Sequence, residues 1–229
     1  MIGIYGGGNV STCGFSSGGA LALGIAAHNN AQENPLPQPR HIVAVSLGEV
    51  PWNDAERMRM QALNEKDVAI DYAFMVTVER FMRHGRENVP DYMISGSRGD
   101  FSGVGDIHFF YSADEVLYGA LPDFEEACKR ADVPYTAFAR PKMVHCYCML
   151  PYFKEAREDF AKITDILKKQ VGVYSFKSNV YTISAVVILI DKRLNNAEDR
   201  QCFGIMLRGY TMFLQMSSTG KLTRRSAQR

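Results

Sequence analysis

Five residues near the start of the chain, Gly14-Phe15-Ser16-Ser17-Gly18, spell G-x-S-x-G, and their flanks restrict the fold sharply. Before them runs Asn9-Val10-Ser11-Thr12-Cys13, which is β-prone; after them Gly19 to Ala27 reads as an apolar helix. Strand, tight turn with a serine at its tip, then buried helix is the setting in which this pattern presents a nucleophile. A serine hydroxyl needs a base to take its proton and donors to hold the developing oxyanion. The turn is expected to strain the backbone at Ser16, with Gly14 and Gly18 where a Cβ would collide with the neighbouring strand or helix. The helix N-terminus adds partial positive charge, and the Ser17 N–H is the expected oxyanion donor. The plain alternative is a glycine-rich turn that merely contains a serine. Gly6-Gly7-Gly8 and Gly14 do not give dinucleotide-site spacing, and no lysine follows as a phosphate loop requires.

The rest of the chain alternates strand-like and helix-like segments. Strands are expected at His41 to Ser46, Asp106 to Tyr111 and Tyr135 to Arg140. Helices are expected over Asp54 to Glu65, Asp67 to Arg83, Tyr118 to Ala131 and Pro151 to Lys169, with Val89 to Gly105 a loop. On the last helix Phe153, Ala156, Phe160, Ile163 and Leu167 share the expected buried face; on the second, Ile70, Phe74, Val78 and Phe81 recur at helical spacing. The order β-α-β-α-α-β-α-β-α argues an α/β fold, a parallel sheet of about four strands covered on both faces.

Functional groups in such a sheet collect at the carboxyl ends of strands. Strand 106–111 is followed by Ser112-Ala113-Asp114-Glu115-Val116-Leu117, and strand 135–140 by Pro141-Lys142-Met143-Val144-His145. Ser16, Asp114 and His145 then stand in the order nucleophile, acid, base. His145 is the only one of five histidines expected in a loop after a strand. Asp114 is preferred as the acid; Glu115 is the alternative, and Asp114 could instead cap the following helix.

Composition limits the other classes. At 229 residues, 46% apolar, the chain fits one domain or one domain plus an extension. Its net charge of +1 gives no global reason to bind nucleic acid, although residues 1–170 carry −5 and residues 171–229 carry +6. Five irregularly spaced cysteines argue against a disulfide framework and for a reducing cytoplasm. Cys146-Tyr147-Cys148 beside His145 lacks a second ligand pair, so no metal and no cofactor is expected. No signal peptide is visible, and the longest apolar run, Ile183 to Ile190, is too short to span a bilayer.

Gly14 to Ala27, Tyr111 to Leu117 and Val133 to Cys148 together resemble the hormone-sensitive-lipase-like α/β-hydrolases, the bacterial acetyl esterases and carboxylesterases called alpha/beta hydrolase fold-3. The resemblance covers roughly residues 1–170. It implies the C-terminal part of an α/β-hydrolase fold, a carboxylic-ester substrate, and Ser16, Asp114 and His145 as nucleophile, acid and base. It implies a helical cap over about 49–100, where Met58, Met60, Phe74 and Met75 line a pocket or simply pack the core. Two departures stand out. The family's His-Gly-Gly-Gly loop, which supplies further oxyanion donors, has no counterpart; Tyr5-Gly6-Gly7-Gly8 lies on the strand entering the turn. Residues 171–229 have no counterpart either and form an extension of unassigned fold.

The N-terminal half of the family's sheet is therefore expected to be missing, which would leave Val10 to Cys13 as an apolar edge inviting self-association or strand pairing. One expectation is that Asn179 to Asp191 or Cys202 to Met216 covers this edge; the other is a loosely ordered tail. A serine esterase, impaired by the missing loop, is the first functional reading. A non-catalytic α/β fragment acting as a binding or assembly partner is the second.

Overall fold

The computed structural model describes residues 7–84 and 88–168, all within Met1–Tyr174, one of two compact units of the chain. The expectations for residues 171–229 and for Tyr5 and Gly6 lie outside the described residues. Four strands, β1 (Ser11–Phe15), β2 (His41–Val45), β3 (Asp106–Ser112) and β4 (Tyr135–Arg140), form one parallel sheet in the order β1-β2-β3-β4. Helix α1 (Ser17–Asn30) connects β1 to β2. Three helices, α2 (Asp54–Leu63), α3 (Tyr72–Arg83) and the short α4 (Asp91–Ile94), lie between β2 and β3. Helix α5 (Leu121–Arg130) precedes β4, and α6 (Lys154–Lys168) follows it.

The near-continuous apolar run of β2 is buried at all five positions, because the sheet is covered on both faces. Ile42 and Ala44 face one core with Leu23, Ala26 and Ala27 of α1 and Phe124 and Cys128 of α5. Val43 and Val45 face the other, with Phe110, Tyr147 and Ala156 and Ile163 of α6. Alternation along one strand thus feeds two layers.

Several boundaries differ from the sequence reading, each for a local reason. Asp67 does not open a helix: its Oδ1 accepts the Ala69 and Ile70 N–H groups and its Oδ2 accepts the distant Val116 N–H at 2.7 Å. Helix α3 starts at Tyr72 because Asp71 caps it, accepting the Ala73 N–H at 2.7 Å. The stretch 89–105 contains α4 and a 3-10 turn at Gly96–Arg98 rather than loop alone. A 3-10 turn, Val116–Ala120, also occupies the expected start of α5.

The buried faces of two helices need correction as well. Phe153 and Phe160 of the last helix are exposed, and Phe74 and Phe81 of α3 are largely so. Asp159 occupies the centre of the buried face of α6, and Met75 and Glu79 that of α3. Both acids are held by arginines: Asp159 by Arg140, and Glu79 by Arg57 and Arg83. Hydropathy alone assigns such paired carboxylates to the wet face.

Candidate active site

Ser16 caps α1 with φ 53° and ψ −125°, a left-handed backbone that a serine adopts only when its surroundings enforce it. Its N–H donates to Val45 O at 2.8 Å, and its carbonyl accepts Gly48 N–H at 3.0 Å and Gly19 N–H at 2.9 Å. The turn is therefore clamped to the end of β2. Gly14 is required there, since a Cβ would lie 2.0 Å from Gly18 O. Gly18 is not required on that ground: a Cβ on it meets nothing within 4 Å, which corrects the expectation that both glycines avoid a collision. Ser17 is the first residue of α1, so its N–H has no partner within the helix and points out of the helix start.

His145 and Glu115 form the centre of a buried polar cluster at the same end of the sheet. His145 Nδ1 lies 2.7 Å from Glu115 Oε2, and both side chains are almost completely buried. Glu115 Oε1 accepts the Ser46 hydroxyl at 2.9 Å and the Ser112 N–H at 2.8 Å. With three donors on two oxygens, Glu115 holds a proton on Nδ1 and leaves Nε2 as the nitrogen that gains or loses the second one. The Ser46 Oγ also accepts the Cys146 N–H at 2.8 Å, so the loop carrying His145 crosses β3 and is fastened to the end of β2. Since Val45 holds Ser16 and Ser46 holds Cys146, the Ser16 turn and the His145 loop grip consecutive residues of one strand end.

Among the described residues the carboxylate hydrogen-bonded to His145 is that of Glu115, the alternative acid, and not that of Asp114. The Asp114 Oδ2 instead accepts the Lys142 N–H at 2.6 Å, and its own N–H donates to Ser112 Oγ at 3.1 Å. It braces the loop from outside while Glu115, one residue on, turns inward beside buried Val116 and Leu117. The roles of Ser46 and Ser112 carry no signal in the sequence beyond their position at strand ends. Among the described residues no hydrogen bond joins Ser16 Oγ to His145; Cys146 Sγ lies 3.4 Å from His145 Nε2.

Electrostatics follow from burial and pairing. Burial pushes the Glu115 carboxyl up, and its bonds to His145, Ser46 and Ser112 pull back against it. For His145 burial alone would lower the pKa; the bonds to Cys146 and Glu115 outweigh it and push the imidazole up to about 10. Cys148 is pushed up to about 12 by burial, which keeps its thiol protonated at neutral pH. A surface depression of about 410 Å³ is lined by Val76, Glu79, Arg80, Arg83 and His84, none of which belongs to this cluster. Among the described residues no helix is long and apolar enough to cross a membrane.

Solved structures share the fold. The chain superposes on an esterase from the bacterial hormone-sensitive lipase family with TM-score 0.59 at 21% identity, covering 71% of this chain and 53% of that one. It matches a hormone-sensitive lipase from a metagenome library with TM-score 0.62 at 18% identity, and the homologue EstE7, also from a metagenome library, with 0.60 at 19%; each match covers 74% of this chain and 57% of the other. The chain has an α/β-hydrolase fold of the hormone-sensitive-lipase type. It spans about half the length of these structures. No protein-family model and no curated protein matches it.

Proposed function

We propose that this chain carries the nucleophile and the proton relay of a serine esterase, with Ser16 as nucleophile, His145 as base and Glu115 as the orienting acid. The observation that carries the reading is the buried His145–Glu115 pair, seated on the strand end that also holds the strained Ser16 turn. The esterases of the same fold support a small carboxylic ester as the substrate class.

In this mechanism the neutral form of His145, whose share grows as pH rises towards about 10, takes the Ser16 hydroxyl proton at Nε2 while Oγ attacks the ester carbonyl carbon. The Ser17 N–H, at the positive end of α1, donates to the resulting oxyanion. His145 passes its proton to the departing alkoxide, leaving an acyl-serine. Water, deprotonated by the same nitrogen, then releases the acid and restores Ser16. Glu115 stays ionised and stabilises the imidazolium.

A fluorophosphonate probe on the full chain tests the reading. Labelling at Ser16 that is abolished by Ser16→Ala and by His145→Gln supports it; no labelling of the folded chain rejects it. The second reading, an assembly partner, draws on β1, which pairs only with β2 among the described residues. A sedimentation experiment showing a monomer at tens of micromolar removes self-association through that edge.

A further inference from the structure

At the opposite end of the sheet from Ser16, β2 and β3 begin with His41 and Asp106, which stand in register, and His108 follows on the same face. One nitrogen from each imidazole and one Asp106 oxygen all lie within 4.8 Å of one another. His41 Nδ1 contacts Asp106 Oδ1, and His108 Nε2 lies 3.0 Å from that same oxygen. We propose that His41, Asp106 and His108 form a divalent transition-metal site, of the zinc class, that ties the starts of β2 and β3 together.

The donor set suits such an ion: two imidazoles and a carboxylate are borderline and hard ligands that zinc accepts. Bonds of about 2.0–2.2 Å set neighbouring ligand atoms roughly 3–3.5 Å apart, close to the 3.0 Å separation of His108 Nε2 and Asp106 Oδ1. His108 Nδ1 lies 2.7 Å from Thr136 Oγ1 on β4, an outer partner of the kind that orients a ligating imidazole. The cluster is asymmetrically exposed. The His41 and His108 side chains are 9% and 12% exposed, and that of Asp106 is 30% exposed. The carboxylate is thus the most accessible of the three ligands and the side from which a cation would enter. His41 Nε2 is buried with no hydrogen-bond partner, so the ring's contact with its surroundings runs through Nδ1. The face also carries Ser11 in register with His41, its hydroxyl buried without a partner, so the strand starts hold unsatisfied polar atoms where a hydrophobic sheet would have none.

The site lies away from the Ser16 relay, so it serves stability rather than ester chemistry. Binding to the folded chain alone raises the folding equilibrium constant about 100-fold when the metal is at 100 times its Kd.

The full chain, stripped with a chelator, is titrated with zinc chloride by calorimetry and with cobalt(II) by absorption. The expected result is one equivalent of zinc bound, a raised unfolding temperature reversed by chelator, and a cobalt spectrum without a thiolate charge-transfer band. Asp106→Asn and His108→Gln should each lower the affinity at least tenfold, and Cys146→Ser should not. No saturable binding, a thiolate band, or equal affinity in a folded Asp106→Asn chain overturns the proposal. If the variants do not fold, stoichiometry and the cobalt spectrum of the parent chain still decide it.

Discussion

Asp159 offers the sharpest stability test, because a single carboxylate on α6 holds the segment that follows His145. It is wholly buried, and it accepts Arg140 Nε at 2.7 Å and Nη2 at 2.9 Å, Lys162 Nζ at 2.7 Å and the Tyr147 hydroxyl at 2.7 Å. Burial alone would raise its pKa. The bonds from Arg140, Lys162 and Tyr147 outweigh burial and hold it down to about 2, from an ordinary 3.8. That difference corresponds to ~2 kcal/mol of folding stability at neutral pH. A folded-state pKa below the unfolded one means the contribution is complete above about pH 4 and disappears as pH falls towards 2. Asp159→Asn removes the charge and sets an amide against the Arg140 guanidinium. Deleting one partner of a buried pair costs roughly 3–5 kcal/mol, and the partial exposure of Arg140 and Lys162 brings this to ~2–3 kcal/mol. With a urea slope of about 1–3 kcal/mol/M, the midpoint should fall by roughly 1–2 M. Glu158→Gln, on an exposed pair with the same arginine, serves as the control and should cost under ~1 kcal/mol. A midpoint change under about 0.3 M for Asp159→Asn, or an acid limb identical to the parent's, would show that this network does not hold the loop.

Other outcomes follow from the same geometry. Glu115→Gln should slow Ser16 labelling on the order of 10⁴-fold, as carboxylate-to-amide changes do in serine triads, whereas Asp114→Asn should leave it within about tenfold; mass spectrometry of the labelled peptide distinguishes the two. Because the His145 pKa is raised to about 10, its stabilising pairing is complete below about pH 6.5 and is lost between there and pH 10. Urea midpoints should therefore decline over that alkaline range and flatten in His145→Gln. Gly14→Ala, which drives a Cβ onto Gly18 O, should destabilise by at least ~1–3 kcal/mol, while Gly18→Ala should stay within about 1 kcal/mol of the parent by thermal unfolding.

Much of the architecture can be read from residue order. The run His41 to Val45 and the spacing of strand-like segments announce a parallel sheet, and β2, β3 and β4 begin where the sequence suggests. What hydropathy misses are the polar groups inside. Asp159 and Glu79 lie on the buried faces of their helices while Phe160 and Phe81 stay exposed, since Arg140 and Arg57, which neutralise them, come from other elements. The choice between Asp114 and Glu115 likewise rests on which side chain turns inward after Ser112, a difference of one residue that neither charge nor spacing encodes. The same holds for His41 and His108, which read as ordinary strand residues until register sets them beside Asp106.

The double engagement of the Ser46 hydroxyl has an evolutionary corollary. One oxygen serves both the acid and the histidine loop, next to the residue that fixes the serine turn. Substitutions at positions 46, 115 and 145 should therefore be epistatic, the second change in any pair doing little further harm. The three positions are thus expected to change together rather than one at a time.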